Sequence, residues 1–412
     1  MGEFSFDSIY LPQKNFILQL PITTMAIGFS FTEEQEDIRK AAKEFAEKEF
    51  TPELALECDR DEKYPMELVK KCAKLGFHAV AIPEEYGGGD YTPIEQMIVM
   101  EEFSAVNPGL ALACLTPIFG VEILLLHGSE EQKDKWIPKL CEGKAIMGMA
   151  NTEPDAGSDS ASIKTKAKLE GDEWVINGTK QFITNGSISD FILVTARTRE
   201  VEDWKKRHKG ISYFIVETDR EGYKATKIVG KLGIRASDTA EISLSNVRVP
   251  KENLVGEEGK GFYYMMEFFD ISRVWVAAQA VGIAKGALKL AADYVKQRKA
   301  FGVPLATFQY IQFRLAELAT KIEAARTLTY RAAAIQVEQG KPDSMLSSMA
   351  KWYAGEVAVE TCDWALQFHG GYGYIDEYPI NQFYRDAKIT EIYEGAKEIE
   401  KLIVARHLLG VK

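Results

Sequence analysis

The period of the hydrophobic pattern changes twice along the chain, and this feature restricts the possible folds more than any other. Residues 30–145 place apolar residues at helical spacing, residues 146–255 alternate apolar with polar residues, and residues 260–410 return to helical spacing. This succession predicts an α+β protein whose domains surround a common cleft. The predicted domains are an N-terminal helical domain at 29–147, a middle β domain at 148–256 and a C-terminal helical bundle at 257–412.

Short local motifs support this division. Thr32 and Ser129 each stand three residues before a glutamine, which is the spelling of a capping box at a helix start. The pair Asn177-Gly178 lies between two β-rich segments, so we expect a hairpin turn there.

Composition excludes several classes of protein. With 50 basic and 61 acidic residues the net charge is −11, which disfavours a broad nucleic-acid-binding surface. The five histidines and five cysteines show no metal-ligand spacing, so no metal site is predicted. The apolar segment 274–284 is too short to cross a bilayer, and no membrane span is expected.

The first residues have an unusual composition for a targeting signal. Residues 1–28 contain the acids Glu3 and Asp7 and the single base Lys14, which fits neither a secretory signal nor an Arg-rich transit peptide. We expect residues 1–28 to be a leader or extension outside the fold. The expected location is cytoplasmic, because the sparse cysteines also suit reducing conditions.

The usual nucleotide-binding loops do not occur in the sequence. Neither G-x-G-x-x-G nor G-x-x-x-x-G-K-[ST] is present, which argues against a Rossmann or P-loop enzyme. Polar segments at 149–162, 181–186 and 298–309 could contact a ligand, but each also reads as an ordinary loop, hairpin or helix end. Glu394 differs from a solvated acid, because Tyr393 and Gly395 flank it. That setting suits a desolvated carboxylate with a raised pKa, a candidate general base.

Taken together, several segments resemble one family of flavoproteins. They are LGFHAVAIPEEYGG (75–88), TEPDAGSD (152–159), INGTKQFITNG (176–186), QRKAFG (297–302) and RDAKITEIYEG (385–395). In this order they resemble the short- and medium-chain members of the acyl-CoA dehydrogenase family, from about Phe31 to the C-terminus. The resemblance implies a helical domain, a β-barrel-like domain and a four-helix bundle, with FAD held without a Rossmann loop.

The resemblance also implies a reaction. Glu394 would remove the α-proton of an acyl-CoA thioester while flavin N5 takes the β-hydride, which yields the trans-2-enoyl-CoA. Electrons would pass to an electron-transferring flavoprotein. A subgroup of the family carries its base just before the arginine of the FDISR segment, where this chain has Ser272, so Glu394 is the one candidate of the family type.

Position by position, the resemblance implies two sets of ligand-binding residues. The cofactor set, partly contributed by a neighbouring subunit of a homotetramer, comprises Met149, Thr152, Phe182, Thr184, Arg298, Phe301, Gln309, Gln367, Gly371 and Glu398. The acyl-CoA set comprises Ser158, Asp270, Arg273 and Gly395. One departure is Ala396, where the family usually has threonine, so a contact to the flavin phosphates is in doubt.

The sequence does not identify the acyl group of the substrate. Residues 88–104 contain no Arg or Lys, which disfavours a dicarboxylyl substrate of the glutaryl-CoA type. Glu95, Glu101 and Glu102 are expected to be solvated or paired; a second hypothesis is that one reaches the pocket and tunes a cyclic or functionalised acyl group. The sequence also leaves open a branched or cyclic acyl-CoA substrate, an oxidase of the same fold, a nitroalkane-oxidising relative, and a non-catalytic scaffold that binds acyl-CoA or FAD.

Overall fold

A computed structural model describes residues 30–411. The predicted leader at 1–28 therefore lies outside the described residues. Within them, helices precede and follow a β-sheet, which confirms the α+β class.

The N-terminal region contains seven helices. Thr32 and Ser129 form the predicted capping boxes with Gln35 and Gln132, so two of the helix starts follow directly from sequence. The helices are α1 Glu33–Glu49, α2 Pro52–Arg60, α3 Met66–Lys74, α4 Pro93–Val106, α5 Pro108–Leu115, α6 Val121–His127 and α7 Glu130–Cys141.

The middle region is an eight-stranded sheet. Its strands are β1 Met147–Ala150, β2 Lys166–Glu170, β3 Glu173–Thr184, β4 Phe191–Arg197, β5 Ile211–Glu217, β6 Tyr223–Lys227, β7 Thr239–Pro250 and β8 Leu254–Val255. The strand order is β6-β7-β3-β2-β4-β5-β8, and β1 pairs in parallel with β4. The parallel β1 places the residues that follow Ala150 beside the middle of β3, where Thr152 O accepts a bond from Gln181 N.

The predicted hairpin at Asn177-Gly178 is wrong. Strand β3 runs through both residues without a turn, and its pairing with β7 shifts register between Ile176 and Gly178. The Asn177 side chain accepts a bond from Asn246 N at 2.8 Å and donates one to Asn246 Oδ1 at 3.1 Å. An Asn-Gly pair therefore accommodates a β-bulge here, a use of these residues that local sequence does not distinguish from a turn.

The C-terminal region is a helical bundle. Its elements are α8 Gly261–Gln297, the hairpin β9 Lys299–Ala300 and β10 Val303–Pro304, α9 Gln309–Gln339, α10 Ser344–His369, α11 Pro379–Ala387 and α12 Lys397–Leu409. Helix α10 packs against α8, α9, α11 and α12. Helix α8 also packs against α4, so one apolar core joins the N-terminal helices to the bundle.

The acidic residues of α4 are buried and paired rather than solvated. Glu101 is bound by Lys285 at 3.0 Å, by Arg326 at 3.0 Å and by the Tyr330 hydroxyl at 2.7 Å. Glu102 is bound by the same lysine at 2.6 Å. Glu95 accepts a bond from Thr92 N at 2.8 Å, as the capping partner of α4. The Glu101 and Glu102 pairs hold α4 against α8 and α9.

Two helical stretches are long and apolar enough to cross a membrane by composition alone, Pro108–His127 and Gly261–Gln297. The first is the more apolar, with a mean hydropathy of 2.1 against 1.2, although only the second contains the apolar segment noted in the sequence. In both, 78% of the most apolar window is buried within the protein. Burial by neighbouring helices and strands is the pattern of a core helix.

Candidate active site

Glu394 lies in a short segment between α11 and α12. It is half-buried, and its carboxylate accepts a hydrogen bond from Ser272 Oγ of α8 at 2.7 Å. Position 272 is the place where a subgroup of the resembling family would carry its base. In this chain the residue there holds the carboxylate of Glu394 instead.

The backbone around Glu394 is unusual. Glu394 has φ of 52° and Gly395 has φ of 104°, both in the left-handed region that favours glycine. The buried Lys351 donates a hydrogen bond to the carbonyl oxygen of Gly395. A Cβ at position 395 would overlap the carboxylate of Glu400, so glycine is required there for space as well as for conformation.

Buried charges surround this segment. Arg273 Nη1 contacts Asp270 Oδ1 at 2.5 Å, and Arg273 Nε lies 3.0 Å from Glu400 Oε2. Burial raises the pKa of the Glu394 carboxyl, while the Ser272 hydrogen bond and the charges of Lys351 and Arg273 oppose that rise. A base with a raised pKa takes a proton more readily than an ordinary carboxylate does.

Glu394 lines a cavity of about 40 Å³. Helices α4, α5 and α8 and the segments around Phe119 and Tyr393 enclose it. The lining side chains other than Glu394 are apolar or neutral: Met100, Leu112, Thr116, Phe119, Thr184, Trp275, Val276, Gln279 and Tyr393. Among the described residues, Glu95, Glu101 and Glu102 do not line this cavity, so the hypothesis that one of them reaches the pocket is not supported.

A second cleft, of about 290 Å³, adjoins the first. Thr184, Leu112 and Tyr393 line both cavities, so a group in one lies beside a group in the other. Phe182 lies at the second cleft; the residue is 65% exposed, and its φ is 59°. An exposed ring beside a hydroxyl fits the face and edge of an isoalloxazine, so the residues present suit FAD.

Sequence reasoning missed part of this second cleft. Lys231, Gly233 and Ser237, in the loop between β6 and β7, line it together with Arg385 and Lys388. Asp386 ties that loop to α11 by accepting a bond from Ile234 N at 2.6 Å. The 385–395 segment was singled out in the sequence, whereas the 231–237 loop carries no comparable local signal.

Two further predicted flavin residues lie on strand β1 or directly after it. Met149 is half-buried near Gly120, where an added Cβ would lie 3.3 Å from the Met149 sulfur. Thr152 follows β1 and pairs through its backbone with Gln181, directly before Phe182. Neither residue lines the second cleft as residues 30–411 form it, so their flavin contacts stay predictions.

The predicted adenosine-pyrophosphate residues lie elsewhere. Arg298 and Gly371 line a third cleft, of about 470 Å³, between the end of α8 and the end of α10. Phe301 is 96% exposed at the tip of the β9–β10 hairpin, and Gln309 and Gln367 are also exposed. None of these five lines the two cavities around Glu394 within the described chain.

The predicted substrate residues also lie in different parts of the structure, some near Glu394 and some away from it. Gly395 adjoins Glu394, whereas Ser158 is exposed on the loop that follows β1. Asp270 is half-buried and holds Ser344 Oγ at 2.9 Å in addition to Arg273. Arg273 is buried behind the Glu394 segment. Glu398, assigned to the cofactor, is exposed in the first turn of α12. The roles of these residues toward CoA and FAD stay predictions.

Comparison with protein families covers nearly the whole chain. Residues 32–144 match the acyl-CoA dehydrogenase N-terminal domain, residues 148–247 match the middle domain and residues 259–409 match the C-terminal domain. The observed helical, sheet and helical regions correspond to these three matches.

Two relatives and two solved structures illustrate the similarity. The short-chain-specific acyl-CoA dehydrogenase of Clostridium acetobutylicum is 43% identical over 92% of this chain and 99% of its own. The 3-(aryl)acrylate reductase of Clostridium sporogenes is 42% identical with the same coverage. A chain solved in work on the electron transferring flavoprotein of Acidaminococcus fermentans superposes with a TM-score of 0.88, at 41% identity, over 93% of this chain and 100% of that one.

The second solved structure bears on the cofactor. The glutaryl-CoA dehydrogenase of Mycobacterium smegmatis, solved in complex with FADH2, superposes with a TM-score of 0.85 at 27% identity. The match covers 92% of this chain and 95% of that one. With the fit of Phe182 and Thr184 to a flavin ring, these findings assign the cofactor as FAD. The protein therefore belongs to the acyl-CoA dehydrogenase family, and it is an FAD-dependent oxidoreductase.

Proposed function

We propose that the protein dehydrogenates an acyl-CoA thioester between the α and β carbons, and that Glu394 removes the α-proton. One observation carries the proposal: the Glu394 carboxylate lines a cavity that shares Thr184 and Tyr393 with the cleft that fits the flavin. A substrate in the first cavity would lie between a base and a hydride acceptor. The product would be the trans-2-enoyl-CoA.

In this proposal Ser272, Lys351 and the lining of the cavity each support the reaction at Glu394. Ser272 holds the carboxylate through one oxygen, which leaves the other oxygen to take the proton. Lys351 fixes the Gly395 carbonyl and so keeps the left-handed segment in place. The largely apolar lining excludes water from the reacting carbons. FAD, when bound, supplies the hydride acceptor.

The first test is the substitution Glu394→Gln. The amide keeps the shape and the bond from Ser272 but cannot take a proton, so we expect acyl-CoA turnover to fall by at least about 100-fold while FAD stays bound. Anaerobic titration with acyl-CoA thioesters, followed through the absorbance of oxidised flavin, measures this. Near-normal bleaching in the variant contradicts the assignment of Glu394.

A matched control is Glu360→Gln, because Glu360 pairs with Lys321 on the surface between α9 and α10. We expect this variant to turn over as the parent protein does. If the parent protein binds acyl-CoA but no thioester bleaches its flavin, the chain is a binding scaffold rather than an enzyme.

The direction of the reaction in the cell is a separate question. A relative with 42% identity is named a reductase, so this chain could also act on an unsaturated thioester. The same residues serve both directions, because Glu394 would then return the proton to the α carbon. Titration of the reduced protein with enoyl-CoA thioesters tests reduction, and the ratio of forward to reverse rates tests which direction is preferred.

We further propose an electron-transferring flavoprotein as the acceptor, a homotetrameric assembly and a cytoplasmic location. The structural similarity to a chain from a study of electron transferring flavoprotein supports the acceptor. The homotetramer is proposed from the family resemblance; Arg298 and Gly371, which a neighbouring subunit's cofactor would contact, line a cleft other than the one beside Phe182. Light scattering of the purified protein tests the assembly.

The rates at which the electron-transferring flavoprotein and O₂ reoxidise the reduced protein test the acceptor. Fast peroxide formation would favour an oxidase.

A further inference from the structure

The cavity beside Glu394 has room for only a short chain of carbon atoms. Its volume is about 40 Å³. On that scale one water-sized group requires about 10–15 Å³, so the cavity holds about three such groups, and a methylene group is close to a water molecule in size. The α carbon must contact Glu394 and the β carbon must face the second cleft, so these two carbons occupy most of the space.

Two aromatic rings, those of Phe119 and Trp275, line this cavity and contact each other. Their centroids lie 5.7 Å apart, and Phe119 also meets Phe268 edge-on with the centroids at 5.2 Å. Trp275 is 5% exposed and belongs to the apolar core that joins the N-terminal helices to the bundle. Because interiors are close-packed, neither ring moves aside without displacing its neighbours.

Gln279 lines the same cavity one helical turn after Trp275, on the same face of α8. It is 1% exposed, and its Oε1 accepts a hydrogen bond from the hydroxyl of Tyr393. The side chain is therefore tied to the residue that precedes Glu394. It fills space that a longer acyl chain would need.

Along α8 after Gln279, helices α8 and α4 approach too closely for a chain to pass between them. A Cβ at Gly282 would lie 2.3 Å from Glu101 O, and one at Gly286 would meet the α4 backbone at the same distance. Lys285, between the two glycines, pairs with the Glu101 carboxylate at 3.0 Å. This ion pair and the close backbone contact keep the cavity from extending between the two helices.

We infer that Phe119 and Trp275 limit the acyl group to about four carbons, so that the substrate is a short-chain acyl-CoA such as butanoyl-CoA. The inference rests on the proposed function, because it requires the acyl group to enter the cavity beside Glu394. It excludes medium-chain acyl groups and acyl groups that end in a phenyl or cyclohexyl ring.

The test compares thioesters of increasing size on the FAD-loaded parent protein: butanoyl-CoA, hexanoyl-CoA, octanoyl-CoA and 3-phenylpropanoyl-CoA. One methylene group in a hydrophobic pocket changes kcat/KM by about 10–200-fold. We therefore expect kcat/KM for hexanoyl-CoA to be at least about tenfold below that for butanoyl-CoA, and the two larger thioesters to be lower still. An artificial electron acceptor reports turnover, and calorimetry on the Glu394→Gln variant reports affinity separately.

Two variants enlarge the cavity at its aromatic wall. Trp275→Leu replaces the indole with a smaller apolar side chain, and Phe119→Leu removes the neighbouring ring. We expect each variant to raise the ratio of kcat/KM for hexanoyl-CoA to that for butanoyl-CoA by at least about tenfold, because the lost ring leaves room for further methylene groups. Thermal unfolding verifies that each variant folds, and either variant alone is sufficient for the test.

A matched control is Trp136→Leu. Trp136 is 7% exposed, about as buried as Trp275, but it lies on α7 against Phe191 and is not part of the lining of this cavity within residues 30–411. This variant should keep the parent ratio of hexanoyl-CoA to butanoyl-CoA turnover. A rise equal to that of Trp275→Leu would attribute the change to general loosening and overturn the role of the wall.

The outcomes separate this inference from the proposed function. If octanoyl-CoA or 3-phenylpropanoyl-CoA reduces the flavin as efficiently as butanoyl-CoA, the dehydrogenase proposal stands and the length limit is overturned. A preference for butanoyl-CoA that survives both Trp275→Leu and Phe119→Leu overturns the assignment of these rings. If no thioester binds or bleaches the flavin, both proposals fail.

Discussion

At the scale of single residues, the setting of Glu394 combines opposing influences. Burial raises its pKa, and the Ser272 hydroxyl, Lys351 and Arg273 lower it. The balance matters because a carboxylate that is too acidic abstracts a proton poorly, while one that is too basic is protonated at working pH. Ser272 is the most direct of these influences, with its Oγ 2.7 Å from the carboxylate.

Removal of that hydrogen bond has a predictable direction. Ser272→Ala eliminates a donor that favours the charged carboxylate, so the pKa of Glu394 should rise further. The rate of flavin reduction increases with pH as Glu394 loses its proton, and this limb should move to higher pH in the variant. Stopped-flow reduction from pH 5 to pH 9 measures the shift. Ser272→Thr keeps the hydroxyl and should restore the parent profile, whereas an unshifted alanine profile contradicts the role.

At the scale of elements, the start of α12 lacks a side-chain cap. Ala396 occupies the N-cap position with φ of −57° and ψ of 143°, and its methyl group cannot accept a bond from the first turn. Helix α12 packs on α10 directly after the Glu394 segment, so its first turn influences the site.

The missing cap can be restored by substitution. Ala396→Thr adds a hydroxyl that accepts from a first-turn N–H, which should stabilise the protein by about 1 kcal/mol. Hydrogen exchange of the first-turn amides of α12 should slow accordingly, and the urea midpoint should rise. Ala396→Val adds similar bulk without a hydroxyl, and it should produce neither change. Equal effects of both variants would attribute the gain to packing.

At the scale of the whole molecule, Asp386 joins parts that are distant in sequence. It is fully buried on α11 and accepts a bond from Ile234 N in the β domain, while its neighbour Arg385 binds Asp59 of α2 at 2.5 Å. Burial raises the pKa of Asp386 from 3.8 to about 7. The native state therefore retains a proton that the unfolded chain has lost.

This proton makes stability depend on pH. The stabilisation from a protonated Asp386 is fully present below about pH 4 and is lost as the pH rises to about 7, by up to about 1.4 kcal/mol for each pH unit. Asp386→Asn cannot titrate and keeps the oxygen that binds Ile234 N. Thermal unfolding at pH 5, 6, 7 and 8 should show the parent protein losing stability relative to this variant. A constant difference across the series contradicts the raised pKa.

The sequence by itself determined the α+β class and two helix starts at Thr32 and Ser129, because caps and hydrophobic periods are local properties. The resemblance of short segments to a known family predicted FAD as the cofactor and Glu394 as the candidate base. The tertiary structure decided the rest. It turned Asn177-Gly178 into a bulge and placed Ser272 beside Glu394. The physical reason is that hydrogen-bond satisfaction depends on which distant segments meet, and no local pattern contains that information.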